Sequence, residues 1–221
     1  AREFARVDTL AVGAKLIPLL SHEIDITRLT LQRPVIHLEI DSRGNGNWNF
    51  NFARNDSSAS ANPARLSISG LKITDGDISY YDARSARRKA LSHANVEFNM
   101  AALDQPAVFR IDAVFENDKL EIEGRLDSLD TYVRKVPTKV YVDLKSRPVN
   151  LRFDGSVIGT AKSAGTFHLS GPSLRDLMKR GTGANAPTCH GLGAFSVAGN
   201  VSAEDRVYAL RGARISLDDM K

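Results

Sequence analysis

Five histidines (His22, His37, His93, His168 and His190) and one cysteine, Cys189, are the side chains best suited to metal binding or nucleophilic chemistry. Either chemistry needs several such groups converging on one point. The histidines are scattered. The one close pair, Cys189-His190, is adjacent, so in a strand its side chains would point to opposite faces. Asp75 with Asp77, and Asp218-Asp219, are the nearest thing to paired carboxylates, and their places at a glycine turn and a strand end fit Asp bonding its own backbone. The sequence has no phosphate-cradling glycine loop, no His-Glu-x-x-His and no Gly-x-Ser-x-Gly elbow. The expectation is a protein that is not an enzyme and uses no cofactor or metal.

One charged cluster stands out. Arg84, Arg87, Arg88 and Lys89 are interrupted only by Ser85 and Ala86. Such a run fits a solvated loop, or a membrane-surface patch that meets phosphate head groups. Binding to single-stranded nucleic acid would call for interleaved aromatics, and only Tyr80 and Tyr81 lie near, so no nucleic-acid partner is expected.

The elements that would carry these residues follow from composition and period. The 221 residues are 42% hydrophobic and 25% charged, with a net charge of +4, and a single cysteine excludes an internal disulfide. The longest aliphatic-rich run, Leu16 to Leu20, contains Pro18 and falls far short of the roughly 20 residues a bilayer needs. Ala1-Arg2-Glu3-Phe4 does not open a signal peptide, and the chain ends just after the strand-like Ala213 to Leu217. The chain is therefore read as a fragment of a longer protein, with its targeting and anchoring segments outside it.

Alternation with period two dominates, in short runs separated by Gly, Asp, Asn and Pro, which is the pattern of antiparallel strands with one apolar face. The apolar phase comprises Ile36, Leu38 and Ile40, then Phe109 and Ile111, then Leu120 and Ile122, then Leu151 and Phe153. Phe167, Leu169, Phe195, Val197 and Leu210 continue it. Asn117-Asp118 and Asp75-Gly76 read as hairpin turns. Short helices are expected over Ala14 to Leu20 and over Ser173 to Arg180, the second capped by Ser173 and carrying Leu174, Leu177 and Met178 on one stripe. Small polar or glycine-rich stretches at 53–65 and 181–193 are the candidate sub-boundaries of a single β-rich region spanning 1–221.

Glycine recurs in register with the strands. Leu120-Glu-Ile-Glu-Gly124, Phe167-His-Leu-Ser-Gly171 and Tyr208-Ala-Leu-Arg-Gly212 share one pattern, and Leu151-Arg-Phe-Asp-Gly-Ser-Val157 and Phe195-Ser-Val-Ala-Gly-Asn-Val201 share another that runs on to a valine. Each unit reads as a hairpin added to a growing sheet, where glycine either ends the strand or marks a bulge, a bend or a close backbone approach. The fold class is mainly β: a long curved antiparallel sheet, an open groove or taco-like half-barrel, with about two short helices. Alternation alone does not distinguish an apolar groove from a closed core.

Leu16-Ile-Pro-Leu-Leu20, Ile24-Asp-Ile-Thr-Arg-Leu-Thr-Leu-Gln-Arg-Pro34, Ile36-His-Leu-Glu-Ile40 and Gly44-Asn-Gly-Asn-Trp-Asn-Phe50, in that order, resemble the N-terminal region of AsmA family proteins. Asp75-Gly-Asp-Ile-Ser-Tyr-Tyr-Asp82, Leu169-Ser-Gly-Pro-Ser-Leu-Arg-Asp-Leu177 and Phe195-Ser-Val-Ala-Gly-Asn-Val201 look like later segments of the family. Between Ala83 and Lys145 only the β pattern agrees. The resemblance implies an envelope protein of Gram-negative bacteria, on the periplasmic side of the inner membrane and anchored by an N-terminal segment absent here. It implies a part in outer-membrane assembly and lipid homeostasis, similar to TamB and the chorein-type bridge proteins, with phospholipid acyl chains held along an apolar groove. Two alternatives stand beside it: a closed-core scaffold or regulator acting through envelope protein partners, and a sandwich module that binds envelope polysaccharide.

Overall fold

A computed structural model of the chain describes residues 4–15, 25–48, 67–182, 192–204 and 207–217. The chain is mainly β, with, among the described residues, fourteen strands in one open hydrogen-bonded sheet and two short helices. The expected helix at Ala14 to Leu20, the loop 53–65, most of 181–193, His22, Cys189-His190 and Asp218-Asp219 lie outside the described residues or extend beyond them. The chain divides into two compact units, Ala1–Asn99 with Asp112–Asn117, and Met100–Ile111 with Asp118–Lys221.

In the first unit, proline sets the topology. β3 (Asp25–Gln32) and β4 (Val35–Ile40) are separated by Arg33-Pro34, and proline cannot donate to a ladder. Both strands run parallel to β6 (Gly70–Asp82), β3 along its first half and β4 along its second. The break is stitched by the backbone: Arg33 N donates to Thr74 O at 2.9 Å and Asp77 N donates to Pro34 O at 2.8 Å. β1 (Ala5–Arg6) and β2 (Thr9–Ala14) pair antiparallel with β4 and β3, and Arg33 Nε donates to Asp8 Oδ2 at 2.8 Å where they part. β5 (Ser67–Ile68) lies parallel to β3.

Asp75-Gly76 is therefore not a hairpin turn. The strand runs straight through it, with a register shift against β7 (Arg87–Met100) and Asp75 at φ 52°. The glycine is needed for packing: a Cβ on Gly76 would lie 3.0 Å from both the buried Pro34 ring and Ile73. The reversal comes later, at Ala83 to Ala86. There the Arg84 guanidinium, bonded to Asp82, holds that carboxyl down at about 2. Arg87, Arg88 and Lys89, expected in the loop, instead open β7.

β8 (Ala107–Phe115) and β9 (Asp118–Leu126) follow one another as expected, but the turn between them is Glu116-Asn117, where φ is 50° and 68°, one residue before the expected Asn117-Asp118, and Asp118 opens β9. In the second unit each following strand pairs antiparallel with the one before: β10 (Thr138–Ser146), β11 (Asn150–Ile158), β12 (Lys162–Gly171), β13 (Phe195–Glu204) and β14 (Val207–Leu217). α1 (Leu129–Val133), not anticipated from the sequence, joins β9 to β10, and the Ser128 hydroxyl caps it by accepting from Thr131 N. α2 (Leu174–Thr182) begins where expected, with Ser173 Oγ accepting from Asp176 N at 3.1 Å. Its last turn reaches back to β9, bringing Arg180 Nη1 to 2.6 Å from Asp118 Oδ2, a carboxylate only 8% exposed.

Candidate functional site

Cross-strand register in the second unit sorts side chains into two faces. Ile122, Leu144, Leu151, Leu169, Val197 and Ile215 are successive partners across β9 to β14 and form an unbroken aliphatic row. Beside it runs Gly124, Val142, Phe153, Phe167 and Gly199, and beyond that Leu126, Val140, Gly155, Gly165, Val201 and Leu210. Five strand spacings make the complete row about 24 Å long. That exceeds the roughly 15 Å of hydrocarbon in one leaflet of a bilayer.

The rows stay open to their surroundings. Phe195 is buried at 5% exposure, but Ile122, Leu144, Leu151, Phe153, Phe167, Leu169, Val197 and Val201 are only half-buried. On the last strand exposure reaches 48% at Leu210 and 65% at Ile215. A cavity of about 380 Å³ lies over Leu151, Phe153, Phe167, Val201, Tyr208 and Leu210. The two phenylalanines sit opposite one another, next to a glycine pair that leaves them space: a Cβ on Gly165 would stand 2.4 Å from Asp154 O, and one on Gly155 2.3 Å from Ala164 O. Gly155 and Gly165 are thus mid-strand close approaches, whereas Gly171 ends β12. The Phe109 ring likewise lies over Gly124, where a Cβ would meet it at 2.2 Å.

The opposite face is polar and carries ion pairs. Arg152 Nη2 donates to Asp143 Oδ2 at 2.9 Å, and Arg110 pairs with Glu123. The guanidinium bond from Arg152 holds the Asp143 carboxyl below its ordinary value, and Lys119, bonded to Glu121, does the same there. Among the described residues no group of three or more His, Cys, Asp or Glu side chains is placed to hold a metal.

The structure places the sequence-derived groove residues as follows. Phe109, Leu120, Ile122, Leu151, Phe153, Phe167, Leu169, Phe195, Val197 and Leu210 share the apolar face of the second unit, and Ile111 is on β8 in phase with Phe109. Ile36, Leu38 and Ile40 belong to the first unit, where they are in register with Ile78, Tyr80 and Asp82 of β6. Leu126, Val140, Val142, Leu144, Val201 and Ile215 complete the rows but were absent from that set. The alternation of Val140, Val142 and Leu144 marks their strand, and only pairing reveals that their phase matches its neighbours.

The basic run does not form one cluster. Arg84 is held by Asp82, while Lys89 pairs with Glu116 and lies 5.1 Å from the Phe115 ring centre. Arg88, on the other phase, stacks 5.6 Å from the Tyr81 ring centre, and Arg87 is opposite Asp82.

In the second unit fold and face together define a class of protein: an open sheet built by adding antiparallel strands, apolar on one side and carrying ion pairs on the other. The chain belongs to the AsmA family, which it matches over residues 1–173. No curated protein and no solved structure gives a significant match. AsmA family proteins are generally envelope-associated, and membership is consistent with a lipid-related role. Among the described residues no helix is long and apolar enough to cross a membrane.

Proposed function

We propose that this protein holds phospholipid acyl chains along the apolar face of β9 to β14, and so contributes without enzymatic chemistry to passing lipid between the inner and outer membranes. In this reading it works on the periplasmic side of the inner membrane, anchored by a segment outside this chain. The observation that carries the proposal is the half-exposed aliphatic row from Ile122 to Ile215, backed by a polar face on the other side of the same strands. Each CH₂ moved from water onto such a face contributes about 0.8 kcal/mol, so length and continuity set the affinity and no single contact dominates.

Site-specific photocrosslinking in living cells tests this in the full-length parent. Probes go at Phe153 and Val197 on the apolar phase and at Arg152 and Ser196 on the polar one. The expected result is lipid adducts confined to Phe153 and Val197. A stable, expressed protein with no lipid adduct at any position would replace the lipid reading with a closed-core scaffold that works through protein partners.

A further inference from the structure

The first unit has a cleft of its own on the polar phase of β4, β6 and β7. Its lining includes two registered rows, His37, Ser79 and Ala90 in one and Glu39, Tyr81 and Arg88 in the other, together with Leu38 and Tyr80 between them, around about 410 Å³ of space. Half-buried Ser79 and exposed Ala90 are the small residues of this grid, and the larger side chains stand around them. His37 Nδ1 lies 2.7 Å from Ser79 Oγ, which joins the first row. Arg88 stacks on Tyr81 and thereby leans toward β6. The strand that carries Glu39 is fixed from its other side: Glu39 N donates to Asn47 Oδ1 at 2.9 Å, and Asn47 Nδ2 donates to His37 O at 2.7 Å.

The charges in this cleft are handled differently from those elsewhere on the sheet. Cross-strand partners are bridged at Lys72–Glu97, 3.2 Å apart, at Arg152–Asp143 and at Lys162–Glu204. Glu39 and Arg88 are instead held two strand spacings apart, about 10 Å, with Tyr81 between them. Among the described residues neither has a salt-bridge partner. A carboxylate and a guanidinium separated by an aromatic ring suit a ligand that carries both signs of charge. An ammonium group would sit on Glu39, and a phosphate or carboxylate on Arg88, which the Tyr81 ring holds in place and whose guanidinium bonds such oxyanions.

We propose that this cleft is a binding site for a small zwitterion, an amine joined to a phosphate or carboxylate, as a free solute or as a lipid head group. The proposal does not rest on the apolar face, which belongs to the other unit.

The test titrates the 221-residue chain by calorimetry with O-phosphoethanolamine, ethanolamine and inorganic phosphate. The joined molecule is expected to bind at least about tenfold more tightly than either half, a difference of about 1.4 kcal/mol. Glu39→Gln and Arg88→Gln, each with an unchanged circular dichroism spectrum, should each weaken it about tenfold. Sedimentation with phosphatidylethanolamine vesicles, against phosphatidylglycerol alone, then assigns the source. Vesicle binding lost in both variants identifies a head-group site, and binding of the soluble zwitterion alone identifies a solute site. Phosphate binding as tightly as the zwitterion, Glu39→Gln binding like the parent, or no binding of the zwitterion would each overturn the proposal.

Discussion

A methyl group added at Gly165 has nowhere to go: it would meet Asp154 O at 2.4 Å and the Gly155 Cα at 2.6 Å, and both are backbone. At Gly124 the obstacle is the end of the Phe109 ring, which can swing aside. Gly165→Ala should therefore cost about 2 kcal/mol and Gly124→Ala about 1 kcal/mol or less, as read from urea unfolding midpoints at constant m-value. Equal costs would show that the close approach of the β11 and β12 backbones is not limiting. A second residue-scale expectation concerns His93, at φ 52° and 2.8 Å from Asp75 Oδ1. The hydrogen bond to that carboxylate, and then its charge, raise the His93 pKa above 6.5. The linked stabilisation is complete below 6.5 and is lost as pH rises through the folded value. Nuclear magnetic resonance titration should find the raised value, and Asp75→Asn should return it toward 6.5. The cleft residues show what stays invisible at this scale. Arg88 stands out in sequence only as part of a basic run beside Tyr80 and Tyr81, Glu39 does not stand out at all, and only register across three strands brings Glu39, Tyr81 and Arg88 together.

Elements were legible where a single strand carries its own period. β4, β8, β9 and β11 to β13 follow the alternation of their residues, and α2 follows from Ser173, its apolar stripe and its basic last turn. α1 was not, because five residues make too short a helix to show a period. The parallel pairing of β3 and β4 on β6 was also hidden. Asp75-Gly76 has the composition of a hairpin, and its true role as a bulge depends on Pro34, some forty residues earlier in the chain. Where α2 docks is decided by Arg180, whose guanidinium sits against the buried Asp118 carboxylate. Asp118 Oδ2 accepts no directed hydrogen bond, so the contact is mainly charge on charge. Arg180→Ala leaves that carboxylate unanswered. Because Arg180 itself is 41% exposed, the expected destabilisation is about 1–2 kcal/mol rather than the full value for a buried pair. Asp118→Asn should cost less, and thermal melts of the two variants side by side measure the difference.

At the scale of the whole molecule, a mainly β chain built as one long sheet was readable from turn spacing and period, and of the two described helices only α2 lies where one was expected. The candidate site was readable as a phase but not as a surface. Alternation gives each strand two sides, and only pairing decides which sides combine. The last strand shows why. Leu210 is opposite Val201 and Ile215 is opposite Val197, so both lie on the apolar face although one number is even and the other odd. The register shift between Ala198 and Asn200, with Gly212 at φ 58°, absorbs the extra residue.

That bulge makes chain length, more than residue identity, the vulnerable quantity. Exchanging Ile215 for Val or Leu leaves the rows as they are. Deleting Gly212 would only remove the extra residue, leaving Arg214 opposite Ala198 and Ile215 opposite Val197 in a plain ladder, whereas adding a residue there would turn Ile215 and Leu217 to the polar side and bring Arg214 onto the aliphatic row. An insertion scan of β14 should therefore lose function at single-codon additions between Arg211 and Arg214, while function survives deletion of Gly212 and conservative substitutions at Ile215. Genes for sheets of this kind should tolerate drift in spelling far better than added codons.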